Sequence, residues 1–316
     1  MKRYGWKQSI YQGLCCVIAG LCMALGASIS GQAAYETGHT NYRASMGTVA
    51  ESEKALQITM LNVEKADAIL LQYQGHAMLI DTGLEETQDR LIKLLRDKNV
   101  TVLDAVLLSH PHTDHMGGLK AVLDEVPVRQ VYDNGQMSKN TYYENYRQQV
   151  ALRNIPRRVL RKGDDISWGN DINIHVLSPA KLFTAKDLPN ASATGICNNN
   201  SIVCRVTYGT FSMLFTGDAQ KTAERQLLKE PAGLSANVLK IGHHGSKTST
   251  LPEFVEAVHP DCAVISCSRY RPVPESKQYA LSTLESRHIP VYQTSQQGTI
   301  TIRSDGTTYE IQTEHS

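Results

Sequence analysis

The sequence predicts an α/β layered fold built from two similar halves, and three observations predict it. Apolar strand segments feed helical segments that return to strands, the order of layered α/β domains. The succession strand, aspartate, helix, strand, histidine occurs twice. "HAMLIDTG" with Asp81 leads to "AVLLSHPHTDH", and "FSMLFTGD" with Asp218 leads to "ANVLKIGHHGS", about 137 residues further on, as an internal duplication would place them. Both copies deliver polar residues at the carboxyl ends of apolar strands, where open α/β sheets place their sites. The strand ends of two packed halves are therefore expected to converge on one cleft.

Residues 1–34 stand apart from this plan. Lys2, Arg3 and Lys7 precede the apolar run "LCCVIAGLCMALGASIS", which ends in "SGQAA". A charged start, a short apolar stretch and small residues describe a secretory signal peptide, with Ser28-x-Ser30 and Gly31-x-Ala33 as cleavage contexts. The alternative is an uncleaved anchor, because the run approaches bilayer-spanning length. Leu21 before Cys22 gives no lipobox. The expected location is secreted or extracytoplasmic, with the membrane reached only through this segment. Residues 35–55 are polar and aperiodic, which reads as a linker. Residues 56–316 form the expected folded domain. It opens with strands in "LQITMLNV", "AILLQYQ" and "HAMLIDTG", and continues with a helix in "EETQDRLIKLLRDKNV" and a strand in "LDAVLLSH". In the second half "AQKTAERQLLKE" is the matching helix.

The 316 residues, 41% hydrophobic and 20% charged, suffice for the core of one large domain. Formal net charge is +1, and residues 1–34 hold three basic and no acidic side chains, so the remainder carries about −2. No global basic field marks a nucleic-acid coat protein. Beyond the leader, Cys197, Cys204, Cys262 and Cys267 lack C-x-x-C spacing, and two of them share the apolar run "CAVISC". Buried thiols are expected rather than a disulfide framework.

"SHPHTDHMGG" places His110, His112, Asp114 and His115 within six positions. His-x-His on extended backbone forms a chelating pair, and imidazole with carboxylate suits zinc and other first-row metals. Four such groups exceed what one ion draws from a single loop, so a two-metal site is expected: one ion on His110 and His112, the other on Asp114 and His115. Asp218 supplies a carboxylate able to bridge two ions, although by itself it would read as a helix N-cap. His243 and His244 follow a second apolar strand. On extended backbone they point to opposite sides, so one is expected on metal and its neighbour toward substrate; His244 is taken as the ligand and His243 as the catalytic neighbour. Asp81 reads as an orienter or helix cap, and Ser246 as a turn residue near the histidine pair.

With "LIDTG" upstream and "TGD" downstream, the H-x-H-x-D-H motif resembles the metallo-β-lactamase superfamily. Within it, "ITMLNVEKADAILL", "NNNSIVCRVTYGTFSMLFTGDA", "LKIGHHGSKTS" and "VYQTSQQGTITIRSDG" are similar to the metallo-hydrolase domain of ComEC-type competence proteins and their secreted stand-alone relatives. The resemblance covers roughly residues 56–312. It implies a four-layered αββα sandwich, two divalent ions (zinc first, manganese as the alternative), and hydrolysis by a water activated between them, with Asp114 and His243 in catalytic roles. Three departures stand out. Glu64, Lys65 and Ala66 replace the subgroup's glycines, although Asp67 stays. Asn198, Asn199 and Asn200 stand where many members carry a third histidine, and Asn198 and Asn199 are expected to support the ligands or face substrate. "SCSRYRPVPESK" lacks a late histidine, which leaves the His110/His112 ion three protein ligands counting Asp218.

The substrate expected from the resemblance is DNA or an anionic cell-surface polymer such as teichoic acid, cut as a phosphoester; no protein partner is indicated. Arg147, Arg153, Arg157, Arg158, Arg161 and Lys162 form an acid-free basic run suited to phosphates, or a solvated basic face. Tyr142, Tyr143 and Tyr146 suit base stacking or packing, and the segment from residue 134, "NGQMSKN", suits a substrate-facing loop. The alternatives are a non-catalytic metal- or polymer-binding module of the same fold, and a hydrolase of another ester or lactam bond.

Overall fold

The computed structural model describes residues 54–268 and 275–315, with side chains for 54–268 and 278–315. The signal segment, nearly all of the linker and half of "SCSRYRPVPESK" (residues 269–274) lie outside the described residues.

The first half begins with three antiparallel strands, β1 (Leu56–Met60), β2 (Ile69–Tyr73) and β3 (His76–Ile80). It continues with three parallel ones, β4 (Ala105–Leu107), β5 (Val131–Asp133) and β6 (Arg157–Val159). The second half repeats this order. β7 (Asp165–Trp168), β8 (Ile172–Ser178), β9 (Val203–Tyr208) and β10 (Phe211–Phe215) are antiparallel neighbours. β11 (Val238–Lys240), β12 (Cys262–Ile265) and β13 (Val291–Gln293) follow in parallel. The chain then returns: β14 (Ile300–Ser304) pairs with β1, and β15 (Tyr309–Thr313) closes the edge. Sheet orders among the described residues are β15-β14-β1-β2-β3-β4-β5-β6 and β13-β12-β11-β10-β9-β8-β7.

Alternation along the strands creates the layers. Leu56, Ile58, Met60, Leu71 and Met78 from one sheet and Val206, Phe211, Met213 and Phe215 from the other bury one shared core between the sheets. The opposite face of the first sheet (Leu70, Leu79, Val106) is covered by α1 (Gln88–Asp97), α3 (Leu119–Glu125) and α4 (Thr141–Leu152). The outer face of the second (Val203, Leu214, Ala263) is covered by α6 (Lys221–Leu227), α7 (Pro252–Val258) and α8 (Glu275–Glu285). Helix α1 shows why: Leu91, Ile92 and Leu95 fall on one face and are buried, while Lys93 and Asp97 pair on the other. The result is the expected α/β/β/α sandwich.

The duplication read from the sequence is present in three dimensions. β3 and β4 are parallel neighbours separated by α1, and β10 and β11 are parallel neighbours separated by α6. One expectation fails. β11 ends at Lys240, and His243 (φ 49°, ψ 43°) and His244 (φ 52°, ψ 33°) lie in a left-handed turn rather than on extended backbone. Both rings nevertheless reach the same carboxylate, His244 Nε2 3.6 Å from Asp218 Oδ1 and His243 Nε2 3.8 Å from Oδ2. All four described cysteines are buried free thiols. Among the described residues no helix is long and apolar enough to cross a membrane.

Candidate metal centre

Strand ends from both halves converge as expected. β4 runs into "SHPHTDH", where the short helix α2 (Thr113–Met116) carries Asp114 and His115. β10 runs into Asp218, and β11 into the turn bearing His243 and His244. Gly117 and Gly118 let α2 approach the Asp81 turn. A Cβ on Gly118 would stand 2.2 Å from Thr82 O, beside the Thr82 N–His115 O hydrogen bond of 2.7 Å.

Two groups of ligand atoms form, each within 4.8 Å, and Asp218 belongs to both. One is His110, His112 and Asp218; the other is Asp67, His115, Asp218 and His244. His110 Nε2 lies 2.9 Å from His112 Nδ1 and 3.9 Å from Asp218 Oδ2. In the second group His115 Nε2 and His244 Nε2 stand 3.3 and 3.6 Å from Asp218 Oδ1. Asp114, expected as a ligand, stands beside the second group and faces the same ring nitrogens as Asp218, 3.5 Å from His244 Nε2 and 3.9 Å from His115 Nε2. Asp67, also in the second group, lies on the other side of the rings, 2.5 Å from Lys240 Nζ and 3.8 Å from His115 Nδ1 and His244 Nδ1.

The chemistry of these donors fits a divalent ion. His115 Nε2 and Asp218 Oδ1 are buried, face each other, and make no hydrogen bond. Such atoms are costly to desolvate unless a cation receives them. Burial, reinforced by the nearby His115 charge, holds His110 well below the usual histidine range and lowers His112, so both imidazoles are neutral donors at neutral pH. Burial opposes charge on His115, yet Asp218 and Asp81 raise it well above the usual range. Burial would raise Asp218, but His115 and His244 bring it well below the carboxylate norm. Asp114 is also lowered, against burial, by His244 and His115.

Supporting contacts explain the orientation of the ligands. Asp81, in left-handed backbone (φ 58°), accepts from Ser109 N, Ser109 Oγ and His115 Nδ1, each at 2.7 Å, so it orients His115 rather than capping a helix. His244 Nδ1 donates to Ser266 O at 3.0 Å, which leaves Nε2 facing the centre. His243, with a quarter of its side chain exposed, lies at the mouth, 3.8 Å from Asp218 Oδ2 and 2.8 Å from Thr248 Oγ1. Ser246 accepts from Thr248 Oγ1 at 3.1 Å, the turn role expected of it.

The three asparagines diverge. Asn198, at the end of α5 (Ala193–Asn199), places Nδ2 3.3 Å from His243 Nε2. Asn199 spends its amide on Gly195 O and Ala223 N, and reaches the site only through Gln220. Asn200 holds Phe183 N and O.

Five of the six basic side chains in the run have protein partners. Arg153 pairs with Asp124, Arg157 with the buried Asp133, Arg158 with Asp164 and Lys162 with Glu230. Arg161 donates to Asn134 O and Leu160 O. Tyr143 and Tyr146 are buried against α1, α3 and the first sheet, so packing is their role, and Tyr142 donates to Glu85. The loop from Asn134 does border the centre, because Asn140 Nδ2 donates to Pro111 O between the two histidines.

A sandwich of two similar halves with His/Asp groups sharing one carboxylate at its strand ends defines a class of metal-dependent hydrolase. Residues 61–269 match the metallo-beta-lactamase superfamily, and the chain belongs to it. It is 28% identical over 265 residues to ComE operon protein 3 of Bacillus subtilis (78% of this chain, 33% of that protein). It is 31% identical over 225 residues to Recombination protein 2 of Haemophilus influenzae (70% and 25%). It is 29% identical over 232 residues to Competence protein ComA of Neisseria gonorrhoeae (72% and 29%). The chain thus spans a quarter to a third of these relatives. Among solved structures, the metallo-beta-lactamase fold protein YhfI of Bacillus subtilis superposes with TM-score 0.52 at 13% identity, covering 76% of this chain and 96% of that one. The diiron β-hydroxylase CmlA of Streptomyces venezuelae does so with 0.52 at 12% (80% and 54%). Both show likeness of fold.

Proposed function

We propose that the chain is an exported two-metal phosphodiesterase, acting on DNA in preference to a cell-surface phosphate polymer. The observation that carries this reading is Asp218, whose two oxygens face two separate ligand groups, the arrangement a two-metal hydrolase requires. Similarity to competence proteins supports DNA, and the basic, apolar and small-residue pattern of residues 1–34 supports export.

His110, His112 and Asp218 would hold one ion, and His115, Asp218 and His244 the other, with Asp114 facing the same Nε2 atoms and Asp67 behind the two rings. Bound there, divalent ions supply Lewis acidity toward water and toward a phosphoryl oxygen. The protein's own groups do the rest. Asp81 and Ser109 fix the His115 ring. Asp114 and His243, both part-exposed, face the mouth and are placed to manage protons on the attacking water and the leaving oxygen. No serine or cysteine nucleophile is required.

The test is hydrolysis by the purified chain supplied with zinc or manganese, using single-stranded DNA, bis-p-nitrophenyl phosphate, p-nitrophenyl phosphorylcholine and a chromogenic cephalosporin, with Asp114→Ala as control. Turnover of DNA and the simple diester that is lost in the control is expected. Cleavage of the choline ester or cephalosporin alone would keep the centre and replace the substrate. Uptake of two ions with no turnover would make the protein a binding module.

A further inference from the structure

We propose that Asn198 completes the His110/His112 side of the centre as an amide-oxygen ligand, in place of a third imidazole, and so tilts that position toward a harder ion than zinc. The inference rests on the two-metal reading above.

The His110, His112 and Asp218 group offers three donors, one short of the four that close a tetrahedral site. Asn198 is fully buried beside it. Its Nδ2 is engaged with His243 Nε2, whose ring in turn lies 3.8 Å from Asp218 Oδ2. That contact fixes the amide and directs Oδ1 away from His243. Oδ1 is buried and has no hydrogen-bond partner. His243 Nε2, its partner, and His110 Nε2 face the same Asp218 oxygen, Oδ2, at 3.8 and 3.9 Å, which places the amide on the His110/His112 side of the centre.

Asn199 and Asn200 cannot substitute for it, because their amides are committed to Gly195, Ala223 and Phe183. A residue that merely propped His243 would need only its Nδ2. Burying an unpaired carbonyl oxygen at the same time is costly, and that cost disappears if the oxygen meets a cation. Amide carbonyl oxygen is a hard donor suited to manganese or magnesium, whereas imidazole favours zinc.

Calorimetric titration of the metal-free full chain with manganese chloride and with zinc chloride tests the assignment without any substrate. Wild type is expected to take two equivalents. Asn198→Leu is expected to weaken one manganese equivalent by about tenfold or more and leave the other unchanged. Asn198→His is expected to tighten zinc at that position and to weaken manganese by a similar factor. Should the leucine variant fail to fold, Asn198→Asp carries the test, with manganese expected about tenfold tighter. Wild-type manganese affinities in the leucine variant, or in the aspartate variant, would overturn the ligand role and leave Asn198 as a prop for His243. Fewer than two equivalents in the wild type would overturn the two-metal reading itself, and the assignment with it.

Discussion

Lys240 places its ammonium 2.5 Å from the Asp67 carboxylate, and neither side chain reaches solvent. The pair joins the halves, since Asp67 precedes β2 and Lys240 ends β11. Asp67 is at once a counter-ion for a buried lysine and a member of the second ligand group.

Lys240→Met removes the cation and leaves the aspartate charge buried. Breaking one side of a buried pair costs about 3–5 kcal/mol. Urea unfolding of the metal-free variant should show a loss of that order, and added manganese should restore part of it, because Asp67 then has another cation to meet. An unfolding midpoint equal to that of wild type would mean that the pair is not load-carrying in solution.

Gly118→Ala tests the approach of α2 to the Asp81 turn. The added carbon meets backbone rather than a movable side chain, 2.2 Å from Thr82 O. A cost of about 1–3 kcal/mol is expected from this overpacking. Metal affinity should fall with it, because Thr82 N holds His115 O. Thermal melting together with metal titration checks both, and undiminished metal binding would refute the coupling.

Glu224 is a buried carboxylate on α6 that accepts from Thr250 N at 2.6 Å and Leu251 N at 2.9 Å, anchoring the end of the histidine turn. Burial pushes it up to about 7, partly offset by those two hydrogen bonds. A folded pKa above the unfolded value means stability that is full at pH below the unfolded value and is lost as pH rises to about 7. Wild type should therefore lose stability relative to Glu224→Gln between about pH 4.5 and pH 7, by on the order of 3 kcal/mol. Urea unfolding of both proteins at pH 5 and pH 7.5 measures it. A difference between the two proteins that does not change with pH would contradict the assignment.

The paired basic run gives an electrostatic prediction. Replacing Arg153, Arg158 and Lys162 together by alanine should leave the salt dependence of DNA binding almost unchanged, since each already has a protein partner. Three true phosphate contacts would lower the logarithmic slope by about 2–3. Fluorescence anisotropy across a salt series distinguishes the two.

Legibility in the sequence followed locality. The H-x-H-x-D-H cluster was readable because its residues are consecutive, and the duplication was readable because each copy repeats a pattern within one strand–helix–strand unit. Asp67 was passed over as a ligand. A lone aspartate before a strand carries no local sign of its destiny, and only the β1–β2 connection brings it to His115 and His244. The extended backbone expected at His243 and His244 failed for a related reason. The left-handed turn is imposed by contacts from elsewhere, such as Lys221 N on Thr248 O and Glu224 on Thr250 and Leu251. Partners of the basic run were not legible where they lie far along the chain, as Glu230 does from Lys162.

Neither half of the duplication owns a complete ligand group. Asp67, His110, His112 and His115 come from the first, Asp218 and His244 from the second, and each group draws on both. A partly folded chain therefore lacks both ligand groups, and each becomes complete only when the second sheet has closed on the first.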